Sequence, residues 1–260
     1  MIPFFKKLKT KIVAFLGHDF FAFIFKNRRE HLSYIKELKS RYPKPNKMTA
    51  LGNYEIPSPV LDSLNIDSII ITGGVEFHIE FEELLDTICS ASFHFFEVDK
   101  RSIDWFKSNK EKSNFKIIEK GLGAKKGFLP VYGNEFMGWS SSVDPKIYEN
   151  SMLDFKKIGE TEITTLPDYC KENNIVNIDI LKLDIEGMAL EVLYSCWDNN
   201  LSPKNILVEI ERGEAENIKT YKNSIEEFLE KAKSFEYQCI FLERKDSFNS
   251  STLEFFLTKS

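Results

Sequence analysis

The sequence has few cysteines, and none of them are spaced as a pair. Cys89, Cys170, Cys196 and Cys239 are the four cysteines among 260 residues. A zinc ribbon or a dithiol redox centre places two cysteines close together, commonly as CxxC. The spacing therefore argues against both kinds of site. We expect free thiols in a reducing compartment, which favours a cytoplasmic protein.

No uninterrupted apolar run reaches the length of a membrane span. Ile12–Leu16 and Phe20–Phe25 are separated by Gly17, His18 and Asp19, whereas a spanning helix needs about 20 mostly apolar residues. No small-residue cleavage site follows, which argues against a signal peptide. This Lys- and Phe-rich segment would pack on the domain or on a second copy, or lie on an anionic membrane surface. A homodimer and peripheral membrane contact both stay open.

The chain also lacks an excess of positive charge and a GxGxxG motif. It carries 35 basic and 40 acidic side chains, a net charge of -5. Such a balance provides no general field that attracts nucleic acid, so we expect no nucleic-acid partner. The missing GxGxxG argues against a nicotinamide-dependent oxidoreductase.

Apolar runs of strand length alternate with helical patterns along most of the chain. The predicted strands are Ser68–Thr72, Phe93–Glu97, Phe115–Glu119, Ile178–Leu183, Asn205–Ile210, Tyr237–Leu242 and Thr252–Leu257, and the predicted helices are Lys26–Tyr42, Glu80–Ser90, Ser102–Asn109, Gly187–Trp197 and Ser224–Phe235. This alternation predicts an α/β fold with a mostly parallel twisted sheet and helices on both faces. The last two strands have no helix between them, so they should form an antiparallel hairpin.

Two segments depart from the alternation. Four prolines, Pro43, Pro45, Pro57 and Pro59, predict a linker between an N-terminal helical extension, residues 1–50, and the main domain, residues 51–260. The stretch from residue 133 to residue 163 is polar and contains Gly138-Trp139-Ser140. It would be either a substrate lid at the carboxyl edge of the sheet or an irregular surface loop.

The most informative motif is the stretch from Ile180 to Gly187, in which an apolar run ends in two acids. Strand side chains alternate between faces, so Asp184 and Glu186 should point the same way. In open parallel sheets, ligands bind beyond the carboxyl ends of the strands. Two carboxylates there can hold a cation or accept a hydroxyl proton, although a solvated acidic turn would show the same pattern.

Glycines and acids also follow the other predicted strands. Gly73-Gly74 follows the first strand, Glu97 ends the second, Gly121-Leu122-Gly123 follows the third, and Glu209 lies at the end of the strand after the motif. Glycine permits tight turns and close backbone approach to a ligand, and an acid after the second strand can accept hydrogen bonds from ribose. Each signal is weak alone, but their recurrence at one sheet edge favours a nucleotide-like ligand.

These residues resemble the FkbM-type family of S-adenosylmethionine-dependent methyltransferases. The stretch from Asp179 to Gly187 fits the family's Leu-Lys-(Ile/Leu)-Asp-(Val/Ile)-Glu-Gly motif, and His94–Trp105 fits its second-strand motif. Further matches are Gly121-Leu122-Gly123-Ala124, Thr164-Thr165-Leu166 and Leu207-Val208-Glu209. The resemblance covers about residues 52–257. It implies a Rossmann-like methyltransferase fold and transfer of a methyl group from S-adenosylmethionine to a hydroxyl, often of a nucleotide-linked sugar or a polysaccharide, with S-adenosylhomocysteine as product.

The resemblance also implies roles for individual residues. Asp184 would lie nearest the methyl donor as a cofactor contact or base, Glu186 would be a supporting or substrate-binding carboxylate, and Glu209 a third acid. The cofactor-binding positions would be Gly73, Gly74, Val75, Glu76 and Phe77 at the methionine end, Glu97 at the ribose with Val98 and Ser102 beside it, and Gly121 and Leu122 at the adenine. Three neighbouring acids could hold a divalent metal through oxygen ligands, but the sequence does not require one.

One residue departs from the family pattern. When Gly74-Val75-Glu76 is aligned with the family's Gly-x-Gly, Glu76 occupies a glycine position. Its side chain could crowd the methionine end of the cofactor, or its carboxylate could bind the cofactor's amino group. The first outcome would give a catalytically degenerate binding or scaffolding domain that keeps the fold.

Overall fold

The protein is built around one seven-stranded sheet. The computed structural model describes residues 18–133, 141–143, 156–211, 218–242 and 252–259, with side chains from residue 29 onward. The strands of this sheet are β3 (Ile69–Gly73), β4 (Ser92–Phe96), β5 (Phe115–Ile118), β10 (Ile180–Leu183), β11 (Asn205–Glu211), β12 (Tyr237–Leu242) and β13 (Thr252–Lys259). Their spatial order is β12-β13-β11-β10-β3-β4-β5.

The pairing directions confirm the predicted sheet. Strands β11, β10, β3, β4 and β5 pair in parallel with one another. Strand β13 pairs antiparallel with β11 and with β12. The central crossover between β3 and β10 places the carboxyl ends of β3, β4 and β10 side by side, which is where ligands bind in sheets of this kind.

Helices cover both faces of the sheet. They are α1 (His18–Arg41), α2 (Ser58–Ser63), α3 (Glu80–Cys89), α4 (Lys100–Asn109), α5 (Leu166–Glu172), α6 (Ala189–Asp198) and α7 (Ile218–Ser234). One buried cluster joins α1, α5, α6 and α7 to the sheet face that carries Ile71 and Leu181. A second joins α2, α3 and α4 to the opposite face, which carries Ile70 and Ile180. Alternate strand residues therefore pack into separate cores, as their period of two requires.

An antiparallel hairpin occupies most of the segment that the prolines predicted as a linker. Strand β1 (Met48–Leu51) pairs with β2 (Tyr54–Pro57) around a turn in which Gly52 has φ +61°. A two-residue Gly-Asn connection is a known hairpin signal, but four-residue strands between prolines are too short to show alternation. The predicted boundary at residue 50 falls within β1, and the division into two domains stays a prediction.

A second sheet occupies the described part of the predicted lid. Strands β6 (Gly121–Leu122), β7 (Gly127–Gly133), β8 (Ser141–Ser142) and β9 (Lys156–Thr164) form it in the order β6-β9-β7-β8. An entirely irregular loop is therefore the wrong interpretation. Strand β9 is mostly exposed and rich in charge, which hid its strand character. Gly138-Trp139-Ser140 lies outside the described residues, so a lid role stays a prediction.

The helix α1 begins earlier than predicted and packs on the domain. Tyr34, Ile35 and Leu38 are buried in the core shared with α5, α6 and α7. The side chains of Phe20–Phe25 lie outside the described set. Within the described residues, no helix combines the length and the apolar character needed to cross a membrane. The four cysteines are free, as expected.

Candidate active site

A cleft opens at the carboxyl ends of β3, β4 and β10. The empty space within the cleft, part of which is open solvent, is about 520 Å³. The residues that line it are Gly74, Glu76, Phe96, Glu97, Val98, Lys120, Gly121, Leu122, Val143, Asp184, Ile185, Glu186 and Met188. Most of the predicted site residues thus come together in one cleft.

Two backbone segments meet closely at the floor of the cleft. Gly74 has φ +84°, and a Cβ atom there would lie 1.9 Å from the carbonyl oxygen of Asp184. The Asp184 N–H donates to the Gly73 carbonyl at 3.0 Å, and the Gly74 N–H donates to the Phe96 carbonyl at 3.0 Å. Only glycine fits this conformation at this approach distance. Gly74 therefore fixes the loops after β3 and β10 against each other.

Glu97 is caged by backbone amides. Its Oε2 accepts from the N–H groups of Val75 and Glu76, both at 2.9 Å, and its Oε1 accepts from those of Val98 and Asp99 at 2.7 and 2.8 Å. Burial raises the pKa of Glu97, and the four N–H groups oppose that effect. A carboxylate has about four lone-pair positions, so a ribose hydroxyl would have to share or replace one of these bonds. Glu97 also holds the loop after β3 against the loop after β4.

Glu76 lines the cleft from an unusual backbone conformation. Its φ is +51°, in the region that favours glycine. Burial, followed by the charges of Asp184, Glu186 and Glu97, raises the pKa of Glu76 to about 8. With a pKa of about 8, Glu76 is mostly protonated at neutral pH in the unliganded protein.

Asp184 and Glu186 both line the cleft, as predicted, although β10 ends at Leu183, so the loop after the strand rather than strand alternation places them. The Asp184 carboxylate accepts a hydrogen bond from the Tyr54 hydroxyl, with 2.6 Å between Oδ2 and the phenol oxygen. Glu186 and Gly187 have φ values of +24° and +86°, so the chain turns sharply after the strand. The motif glycine is thus explained by its left-handed backbone.

A cluster of acids lies beside the cleft. One carboxylate oxygen from each of Asp184, Glu209 and Glu211 lies within 4.8 Å of the others. Glu211 Oε2 accepts from the Gly187 N–H at 2.9 Å. Burial and then the charges of Glu186 and Asp184 raise the pKa of Glu211 well above its ordinary value. Oxygen ligands at this spacing are chemically suited to a divalent cation.

The buried network beneath Asp184 contains one lysine. Lys182 Nζ lies 3.6 Å from Glu82 Oε1 and 4.7 Å from the centre of the Tyr54 ring. Glu82 Oε1 also accepts from Thr72 Oγ1 at 2.8 Å. Lys182 is 4% exposed, so its charge acts at low dielectric on the acids above it.

Several predicted residues do not line the cleft. Gly73 is buried at the end of β3, Val75 is buried in the loop that follows, and Ser102 is buried in α4. Phe77 is partly exposed and packs edge-on against Trp105, 5.8 Å between ring centres. Glu209 contributes to the acidic cluster instead.

The unpredicted residues at the site include Lys120, Val143 and Met188, which line the cleft, and Glu211, Lys182 and Tyr54. Glu211 follows Glu209 by two positions, so strand alternation could have placed it on the same face. Lys182 lies within the recognised motif, but its position in the sequence alone does not show whether it pairs with a buried acid or binds a ligand. Tyr54 comes from the hairpin, and no local pattern could have placed it against Asp184.

Comparison with known proteins identifies the family. The model of the methyltransferase FkbM domain matches residues 18–239. The chain belongs to the FkbM methyltransferase family. No curated protein matches the sequence.

Solved structures show similarity over most of the chain at low identity. An rRNA methylase from Streptococcus thermophilus is 12% identical, with 77% of this chain and 91% of that chain covered and a TM-score of 0.43. The precorrin-6y C5,15-methyltransferase of Geobacter metallireducens is 11% identical, with 83% and 95% covered and a TM-score of 0.40. Aeropyrum pernix fibrillarin with natively bound S-adenosyl-L-methionine is 11% identical, with 78% and 70% covered and a TM-score of 0.43.

The residues of the cleft fit the cofactor of an FkbM methyltransferase. S-adenosylmethionine carries a sulfonium and an ammonium group, and the cleft presents the acids Glu97, Asp184 and Glu186, with Glu76 beside them as an acid that a cation would favour in its ionised form. Such charges favour a cationic ligand. Backbone groups of the glycine loop and the apolar side chains of Leu122 and Met188 complete a lining suited to the uncharged parts of the molecule.

Proposed function

We propose that this FkbM methyltransferase transfers the methyl group of S-adenosylmethionine to a hydroxyl of a saccharide, either nucleotide-linked or part of a polysaccharide. One observation carries the hydroxyl assignment: Asp184 and Glu186 are carboxylates in the same cleft as the cofactor-binding loops. A sugar hydroxyl is a weak acid and requires a base within hydrogen-bond reach. Family analogy supports the saccharide, which is a weaker argument than site chemistry.

Each acid then has a separate role. Asp184 contacts the methyl donor or accepts the hydroxyl proton, and Glu186 binds the acceptor. Glu76 pairs with the amino group at the methionine end. The protein's main contribution is to hold donor and acceptor in line for displacement, since positioning supplies much of the acceleration in transfers of this kind.

We also propose a cytoplasmic enzyme without a nucleic-acid partner. The spacing of the cysteines and the net charge of -5 support this placement. Dimerisation or peripheral membrane contact through residues 1–50 remains part of the same proposal.

A calorimetric titration with S-adenosylmethionine tests the cofactor site. We expect one-to-one binding to the wild type, about tenfold weaker binding to Asp184→Asn because a charge contact is lost, and unchanged binding to Glu191→Gln. Glu191 is an exposed acid on α6 that does not line the cleft, so it controls for the loss of a negative charge outside the cleft. Glu97→Ala is unsuitable, because it would remove four loop hydrogen bonds at once.

The acceptor is tested by product formation. Formation of S-adenosylhomocysteine is followed with a panel of nucleotide sugars and oligosaccharides, and Asp184→Asn should abolish it while the melting temperature is kept. Full turnover by Asp184→Asn would contradict the role of Asp184. Turnover only with acceptors that lack a hydroxyl would contradict the proposed acceptor class.

The position of Glu76 favours a second candidate, a domain that keeps the fold without catalysis. Its side chain occupies cleft space at a position where the family has glycine. A ligand that binds only the native state must raise the melting temperature. No shift with millimolar S-adenosylmethionine in the wild type, together with a shift in Glu76→Gly, would favour this candidate.

A further inference from the structure

The N-terminal hairpin delivers one side chain to the active-site cleft. Tyr54 lies on β2, 130 positions from Asp184 in sequence, and its hydroxyl donates to Asp184 Oδ2 at 2.6 Å. Tyr54 is 7% exposed, and its ring packs edge-on against Phe81, with 5.4 Å between ring centres. Packing of the ring and the hydrogen bond of the hydroxyl therefore both fix the position of Tyr54. The same hydrogen bond restrains the Asp184 carboxylate.

A buried cation, the ammonium of Lys182, lies against the ring of Tyr54. Lys182 precedes Asp184 by two positions, so the two side chains leave β10 on the same face. Its ammonium lies 4.7 Å from the centre of the Tyr54 ring, within the range of a cation–π contact. Glu82 pairs with the lysine, and Thr72 donates a hydrogen bond to the same Glu82 oxygen. Glu82, Lys182, Tyr54 and Asp184 thus form one chain of contacts.

We propose that Tyr54, supported by Lys182, is a positioning residue that fixes the Asp184 carboxylate so that the cleft distinguishes the sulfonium of the methyl donor from the neutral thioether of the product. The role rests on the proposed function. With Oδ2 bound by the phenol, Oδ1 is left for a ligand, and rotation of the carboxylate is restricted. S-adenosylmethionine is a sulfonium cation, whereas S-adenosylhomocysteine is a neutral thioether. A fixed anion therefore favours the first over the second.

The phenol is suited to this task because it stays protonated. Burial, followed by the charge of Asp184, raises the pKa of Tyr54 well above its ordinary value. A protonated phenol can only donate towards an ionised carboxylate. The hydrogen bond is charge-assisted, and such bonds are roughly twice as strong as neutral ones.

The test compares the affinities of both ligands by calorimetry. Tyr54→Phe removes the hydroxyl and keeps the ring against Lys182 and Phe81. We expect S-adenosylmethionine to bind about tenfold more weakly, and S-adenosylhomocysteine to change by less than about twofold. In the Asp184→Asn background, Tyr54→Phe should cause no further loss, since coupled residues are non-additive. Asp184→Asn alone should lose the same discrimination.

Tyr237→Phe is the matched control. Tyr237 is also buried and donates one hydrogen bond, to the Pro203 carbonyl at 2.5 Å, away from the cleft. It should lower the melting temperature without changing the ratio of the two affinities. The proposal would be overturned if Tyr54→Phe weakened the binding of both ligands equally. It would also be overturned if Tyr54→Phe still lowered the affinity for S-adenosylmethionine in the Asp184→Asn background. Either result would mean that Tyr54 is merely structural.

The result also separates this role from the proposed function. A wild type that binds neither ligand contradicts the proposed function and the role of Tyr54 together. A wild type that binds both, with an affinity ratio that Tyr54→Phe leaves unchanged, contradicts the role alone.

Discussion

At the scale of single residues, Gly74 is a position where the backbone conformation and the space available allow only glycine. Its φ of +84° and the carbonyl of Asp184 at 1.9 Å from a Cβ position leave no place for a side chain. We expect Gly74→Ala to lower the free energy of unfolding by about 2–5 kcal/mol, through left-handed strain and overpacking together. Urea denaturation measures the change.

Gly127→Ala is the control for that substitution. Gly127 lies in β7, and a Cβ there has no neighbour within 4 Å. Its effect should stay within about 0.5 kcal/mol or be slightly stabilising. Equal effects of the two substitutions would show that the loops after β3 and β10 can move apart, and that the close approach at Gly74 is not required.

The residue scale also shows what alternation can predict. The two-residue repeat of a strand predicted that Asp184 and Glu186 point the same way. The same rule would predict Glu211 from Glu209. It cannot predict Tyr54, whose contact with Asp184 depends on how a distant hairpin packs. Nor can it show that Glu97 would be caged by four amides, because this depends on the geometry of two loops.

At the scale of elements, α1 is tied to α7 by one carboxylate. Glu226 accepts two hydrogen bonds from the Arg41 guanidinium, at 2.7 and 2.8 Å, and one from the Tyr34 hydroxyl at 2.7 Å. These partners, Arg41 first, hold the pKa of Glu226 below its ordinary value. The pair is more than a third exposed on the arginine side, so solvent screens much of this interaction.

We expect Glu226→Gln to destabilise the fold by about 1 kcal/mol at pH 7 and low salt. A carboxyl with a depressed pKa contributes stability above its ordinary pKa and loses it as the pH falls through the folded-state value. The difference between wild type and variant should therefore begin to shrink at about pH 4 and be largely lost by about pH 2. Chemical denaturation at pH 7 and at about pH 2 measures it, and a difference that persists in acid would contradict the assignment to charge.

Elements with strong periodicity were predictable, and elements defined by pairing were not. The strands of the central sheet are apolar on both faces, so short apolar runs between helical patterns located them. The hairpin β1–β2 and strand β9 are short or largely exposed, and their strand character comes from partners rather than from composition. The antiparallel pair β12 and β13 was predicted because the sequence shows no helical pattern between the two apolar runs.

At the scale of the whole molecule, folding concentrates negative charge at one edge of the sheet. Glu76, Glu97, Asp184 and Glu186 share the cleft, and Lys182 is the buried cation beneath it. These acids follow three different strands, β3, β4 and β10, and the order of those strands in the sheet brings them to one edge. The protein without ligand therefore carries electrostatic strain that a cationic ligand would relieve.

This strain predicts how stability depends on pH. Burial and the neighbouring acids raise the pKa of Glu76 from 4.5 to about 8. The folded chain therefore binds one more proton than the unfolded chain between these values, and the free energy of unfolding falls as the pH rises from about 5 to 8. Glu76→Gln keeps the shape and the backbone conformation but cannot ionise. At pH 8.5 it should be more stable than the wild type by about 2–4 kcal/mol, with a flatter pH dependence.

Urea denaturation of both proteins at pH 5 and pH 8.5, with Glu191→Gln as the exposed control, measures this difference. Saturating S-adenosylmethionine should reduce the advantage of Glu76→Gln at pH 8.5, because the cation stabilises the ionised carboxylate in the wild type. Parallel pH curves for wild type and Glu76→Gln would mean that Glu76 lies in solvent in the unliganded protein. The glutamate would then be neither an obstacle in the cleft nor a partner for the cofactor's amino group, and the acids on β10 alone would select a cationic ligand.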